Sequence, residues 1–151
     1  MNKLIGIFAQ VDDDTEVINY QKGDEIIRNG TFINPSGWIL EAGWSIGGGV
    51  ASFNDINDFT GLRQTNAVNL WPIKPSTDYR LVFDVITAGN LRLLITDNGM
   101  NVAYVIEAPY ANGNHVVLFT TPADIHGGGI GFFGRTTGDA GDIDNITLKE
   151  V

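Results

Sequence analysis

The sequence predicts an all-β sandwich, and three observations carry that prediction. Turn-forming residues break the chain at short intervals, with Gly-rich or Asn/Asp-rich clusters at 29–30, 34–37, 47–49, 54–58, 98–101, 112–114, 127–129 and 138–142. Between them lie short apolar runs at 37–46, 67–71, 79–87, 91–96, 102–108, 115–121 and 130–133, a pattern of many brief strands rather than alternating β and α units. No segment keeps a helical period over ten residues, whereas Leu81, Phe83, Val85 and Thr87 alternate with Val82, Asp84 and Ile86 as a strand with one apolar face does.

Taken in order, residues 1–23 read as an extension or arm and residues 24–151 as the sandwich, of about eight or nine strands. In the arm, Leu4, Ile5, Ile7, Phe8 and Val11 precede the acidic turn Asp12-Asp13-Asp14-Thr15, and Glu16-Val17-Ile18-Asn19-Tyr20 follows it. Apolar, β-branched residues on both sides of a turn predict a hairpin or an added edge strand. A helix over 3–11 is the alternative, to which Gly6 costs about 1 kcal/mol relative to alanine. Such an arm docks on its own sandwich or on a neighbour. Ile26-Ile27-Arg28-Asn29-Gly30-Thr31-Phe32, followed by Gly37-Trp38, reads as a strand, a polar turn and a second strand anchored by an aromatic ring. Asn98-Gly99 and Asn112-Gly113 are turn signals, because both residue types tolerate positive φ. The final stretch places Ile143, Ile146, Leu148 and Val151 among Thr147, Lys149 and Glu150, so the chain closes on a half-buried strand that lies beside the first.

Composition narrows the function. At 151 residues the chain makes one domain, large enough to bury roughly 68–70% of its unfolded surface. It has no cysteine, which excludes disulfides and thiolate metal sites. A formal net charge of −9 with scattered Lys and Arg argues against nucleic acid and against anionic membranes. The eight-residue apolar stretch from Leu4 to Val11 lacks a small-residue cleavage site, so no signal peptide is expected. No stretch approaches the roughly 20 apolar residues of a membrane helix.

Three motifs carry a resemblance. The opening Asn29-Gly30-Thr31-Phe32 with Gly37-Trp38, the middle Trp71-Pro72 to Tyr79-Arg80-Leu81-Val82-Phe83-Asp84-Val85, and the ending Ile143-Asp144-Asn145-Ile146-Thr147-Leu148-Lys149-Glu150 resemble the galactose-binding-like jelly roll. That is the fold of many carbohydrate-binding modules, and domains of this look also occur in bacteriophage tail and surface proteins. The resemblance implies a jelly-roll β-sandwich over about 24–151. It also implies a structural calcium where the first and last strands meet, held by Asp144 together with Asp24 or Glu25. Calcium takes six to eight oxygens, which carboxylates and backbone carbonyls on adjoining strands can supply. The alternative for Asp144 is a turn or cap with no metal.

Catalytic chemistry finds little support. His115 and His126 stand eleven apart without a nucleophile elbow or a metal-binding His pair. The carboxylates cluster in turns, where Asp is favoured for backbone hydrogen bonding. The runs at 47–49 and 127–131 precede no helix and no Lys-Ser or Lys-Thr, so they read as tight turns or bulges rather than phosphate loops. Aromatic rings are the better lead, since a flat ring stacks on the apolar face of a pyranose. Trp38 and Trp44 are assigned to packing, and Trp71, Tyr104 and Tyr110 are the candidate sugar platform, with a partly buried rim position as their plain alternative.

The expected function is therefore non-catalytic: a structural virion protein of a bacteriophage head or tail surface, assembled in the host cytoplasm through copies of itself or other virion proteins. The alternative is a glycan-binding module of a larger carbohydrate-active protein. The two overlap, because a virion decoration can bind cell-surface glycan.

Overall fold

The computed structural model of the chain describes residues 21–56, 60–65, 73–88, 91–96, 102–107, 110–123, 129–134 and 139–151. Residues 1–20 of the 1–23 arm, Trp71, His126 and the Asn98-Gly99 turn lie outside them. The described residues contain no helix and ten strands: β1 Ile39–Leu40, β2 Trp44–Gly47, β3 Val50–Ile56, β4 Gly61–Thr65, β5 Asp78–Thr87, β6 Leu91–Thr96, β7 Val102–Glu107, β8 Gly113–Thr120, β9 Gly129–Gly134 and β10 Asp139–Glu150. They form two five-stranded antiparallel sheets. Sheet A has the order β1-β4-β9-β6-β7 and sheet B the order β2-β3-β10-β5-β8. The all-β jelly-roll sandwich expected from the sequence is what the chain forms.

The core between the sheets is rich in aromatics. Phe83 of β5 meets Phe132 of β9 at a ring separation of 5.3 Å, tying sheet B to sheet A. Trp44 packs on Phe53 at 5.0 Å and Phe32 on Trp38 at 5.2 Å, so both tryptophans assigned to packing are buried. Alternation along β5 decides the rest: Tyr79, Leu81, Phe83 and Val85 are buried, and the residues between them are not.

The ends of the described chain lie side by side, as the motifs imply. Gly23 N, Ile26 N and Gly30 O bond to Glu150 O, Leu148 O and Ile146 N in turn, so residues 23–30 run antiparallel to β10. They do not form the ladder strand expected at 26–32. Where a ladder carbonyl would receive the Leu148 amide, the Glu25 carboxylate does so at 2.8 Å, and it takes the Ile27 amide at 2.9 Å as well. Gly30 is required here for a steric reason: a Cβ would overlap the carbonyl oxygen of Ile146. Asn29, at φ 52°, then gathers the loop through bonds to Asn34 O and Ser36 O and from Ile33 N, and its own carbonyl receives the Trp38 indole N–H at 3.0 Å.

Two strands were not legible as runs. β3 contains Asn54-Asp55, which read as a turn, and β4 is mostly polar. Gln64 of β4 is fully buried because its amide bonds both the N–H and the C=O of Arg28. A satisfied amide is tolerated in a core, so the apolar alternation is masked. The run at 37–46 is split by a turn at 41–43 that sends β1 to sheet A and β2 to sheet B. Gly48 and Gly49, at φ 65° and 84°, make the turn expected between β2 and β3. Gly129 and Gly131, by contrast, belong to strand β9 rather than to a turn.

Candidate functional site

Phe132 and Phe133 are consecutive on a strand, so they face opposite sides of sheet A. Phe132 enters the core against Phe83. Phe133 faces outward, directly across from Gly61 on β4 and Arg92 on β6. Its ring lies flat over two glycines of that face: a Cβ on Gly61 would stand 2.6 Å from Phe133 Cε1, and one on Gly131 would overlap the far edge of the ring. Although it is no part of the core cluster, Phe133 is only 6% exposed. A buried aromatic on the outer side of a sheet marks a sheltered face.

Beside that ring stands an ion pair. Arg63 lies opposite Gly131 in register, and its guanidinium bonds Glu41 Oε1. Glu41 sits in the turn after β1 and is held by the Gly61 edge, since its Oε2 accepts from Gly61 N at 2.7 Å and its own N–H donates to Gly61 O at 3.0 Å. The side chains of Arg63 and Glu41 remain 20% and 30% exposed. The register extends the face as the row Gly61, Phe133, Arg92, Glu107 and the row Arg63, Gly131, Leu94, Val105. The chemistry is thus a floor with few side chains, an aromatic ring, and a cation and carboxylate within reach of one another. Such a set offers a charged donor and acceptor for hydroxyls on a shallow face, with the ring as support beneath it.

The residues singled out from the sequence fall elsewhere. Tyr110, expected as an exposed platform, is 8% exposed and packs edge-on to Phe83 at 5.0 Å and to His115 at 4.9 Å. That corrects the expectation: the ring fills the sandwich, its hydroxyl is buried without a hydrogen-bond partner, and burial pushes its pKa up. His115 stacks on Phe83 and its Nε2 meets Ala111 O at 2.7 Å, an ordinary packing role. Tyr104 stands opposite Ile95, in the register row that contains buried Ile130 and Gln64. Trp71 lies outside the described residues.

The three carboxylates related to calcium are not gathered as one ligand set. Asp24 Oδ2 accepts from Gln21 N at 2.8 Å, Asp144 Oδ1 accepts from Asn145 N at 2.7 Å, and Glu25 Oε1 serves the two amides described above. Among the described residues, no three acidic or histidine side chains are grouped to hold a metal ion. Glu25 does stand at the predicted junction of first segment and last strand. Burial raises its pKa, against the opposing pull of the Leu148 and Ile27 amides. Asp84, on the outer face of sheet B, is held below the usual carboxylate range by the amides of Asn114 and Asn145, each at 2.8 Å.

Arg63 and Phe133 escaped the sequence reading. The signal for one of them was present, because two adjacent phenylalanines in a strand bounded by glycine cannot both face the core.

No protein-family model matches the chain, and no curated protein does. Solved structures share its fold. One described as CBM4 is 17% identical, covering 78% of this chain and 96% of its own, with a TM-score of 0.56. The CBM22-1 xylan-binding domain of Paenibacillus barcinonensis Xyn10C is 9% identical over 88% of this chain and 98% of its own, with a TM-score of 0.55. The enzymatically active domain of bacteriophage CBA120 tailspike protein 4 is 17% identical and has a TM-score of 0.55. It matches over 84% of this chain, which spans about a fifth (21%) of the tailspike domain. The chain therefore has the jelly-roll fold of carbohydrate-binding modules.

Proposed function

We propose that this chain is a non-catalytic carbohydrate-binding module that takes a glycan chain on the outer face of sheet A. The observation that carries the reading is the partly exposed Arg63–Glu41 pair on the outer face of sheet A, set beside Gly61 and Gly131 with the Phe133 ring packed over them. An extended polysaccharide needs a long, shallow surface, and the backbone rows that run from Gly61 and Arg63 across β9 to β6 and β7 supply the length. The solved neighbours support this reading over virion assembly, reversing the order expected from the sequence. A role on a virion surface remains the second reading, and the tailspike neighbour favours it.

Calorimetric titration with a panel of soluble polysaccharides tests the proposal. At least one binds the wild-type chain, and Arg63→Met and Phe133→Leu each weaken that binding by about tenfold or more, roughly 1.4 kcal/mol. Arg80→Ala, on the other sheet, leaves it unchanged. Binding indifferent to both sheet A substitutions removes the site, and no binding to any polysaccharide removes the function.

A further inference from the structure

β8 is the outermost strand of sheet B, and no described strand pairs with its far side. Edge strands are usually defended by charge, proline, a bulge or shortness. β8 has none of these: Gly113-Asn114-His115-Val116-Val117-Leu118-Phe119-Thr120 runs in unbroken register with β5, without proline or any Asp, Glu, Lys or Arg. On its outer face Val116 is 50% and Leu118 68% exposed.

The direction of its free backbone groups follows from the ladder. Thr121 N donates to Thr77 O at 3.0 Å, so the pair 77/121 is a hydrogen-bonded one. Antiparallel pairs alternate between bonded and non-bonded. Residues 113, 115, 117 and 119 therefore bond β5, while Asn114, Val116, Leu118 and Thr120 aim their N–H and C=O groups away from it. Those four also carry the outward side chains.

We propose that this chain forms a twofold dimer in which β8 of two copies pairs antiparallel about Val117, joining the two B sheets into one of ten strands. This register uses the whole strand. Asn114 then bonds Thr120 of the second copy, and Val116 bonds Leu118, so the free backbone groups meet and each exposed apolar side chain is covered by its counterpart. The electrostatics favour the same seam on a chain of net charge −9. No acidic side chain stands on either joining strand, Arg80 and Lys149 share the central row of Leu118, and the flanking Asp78 and Asp84 sit one strand in, bonded by the side chains of Thr120 and Asn114. The contact is isologous and closes at two copies. Pairing of eight-residue edges is small, below the roughly 1,200 Å² of standard interfaces, so the dimer dissociates on dilution.

Sedimentation equilibrium over a concentration series tests it with full-length variants. The wild type is a concentration-dependent dimer. Val116→Lys/Leu118→Lys sets like charges opposite each other at both crossings and raises the dissociation constant by about 100-fold or more. Val116→Lys/Leu118→Glu sets opposite charges at both crossings and restores the dimer, which only the Val117-centred register allows. Circular dichroism verifies that both variants stay folded, as expected at exposed positions. A monomeric wild type up to about 1 mM, a dimer that survives the double lysine change, or a Lys/Glu variant as monomeric as the Lys/Lys one overturns the proposal. So does a dimer lost on removal of residues 1–20, because the arm would then make the contact.

Discussion

The outer faces of the two sheets follow one rule of alternation and end up unlike. Sheet A keeps its outer face low and sheltered, with Gly61, Gly131 and a flat Phe133 beside a partly exposed ion pair. Sheet B sends Arg80, Leu118, Val116, Ile86 and Asn114 into solvent, and its acidic Asp84 is half-buried and bonded by two amides. The difference lies in the outward residues. A sandwich can thus hold one side to receive a ligand and leave the other for contact with solvent or with a second copy.

Phe133→Ala breaks the contrast with the largest effect. Loss of a buried ring costs about 3 kcal/mol or more in chemical denaturation and abolishes glycan binding. On sheet B, Leu118→Ala costs less than about 0.5 kcal/mol, as exposed positions do. A smaller loss comes from filling the floor. Gly131→Val pushes a side chain into the Phe133 ring and costs about 1–3 kcal/mol by overpacking. Ser52→Ala on sheet B, which loses only the 2.6 Å bond to Asp142, costs about 1 kcal/mol.

The junction between the faces is sharpened by pH. The folded pKa of Glu25 is raised above 4.5, so its contribution to stability is full below 4.5 and falls as pH climbs through the folded value. Glu25→Gln retains an acceptor for both amides and should flatten that part of the melting temperature against pH; an unchanged profile removes this assignment. In the same experiment calcium against a chelator shifts the melting temperature by less than about 1 °C, since the three carboxylates are committed elsewhere. A shift of several degrees that Glu25→Gln abolishes would restore the calcium site. The smallest effect belongs to Asp84, whose depressed pKa adds stability above the ordinary aspartate value of 3.8 that is lost as pH falls through the folded one. Asp84→Asn should remove only that acid-side decline.

The fold was legible where periodicity and motifs coincide. Alternation gave β5, the ending gave β10, and Asn29-Gly30 was readable as a tight feature even though its cause, contact with the Ile146 backbone, is not local. β4 was hidden because one of its two buried side chains, Gln64 beside Leu62, is an amide. The site was harder to read. Tyr110 was chosen for its chemistry, and ring chemistry does not reveal which side of a sandwich a tyrosine enters. Arg63 and Glu41 lie 22 residues apart and become partners only when β4 pairs with β1. Phe133 could have been inferred from parity alone, without knowing what covers it.

The position of β10 in sheet B bears on how the sandwich is made. It is bonded to β3, to β5 and to residues 23–30, and those contacts span most of the sequence. Long loops must close before such contacts repay their entropy, so folding is expected to be slow for a chain of this size. During synthesis, β2 can pair with β3 and β5 with β8, yet nothing joins the two pairs until the residues from Asp139 onward have emerged. Half-finished sandwiches then carry two unpaired strand edges facing one another, and β10 is the strand that removes both.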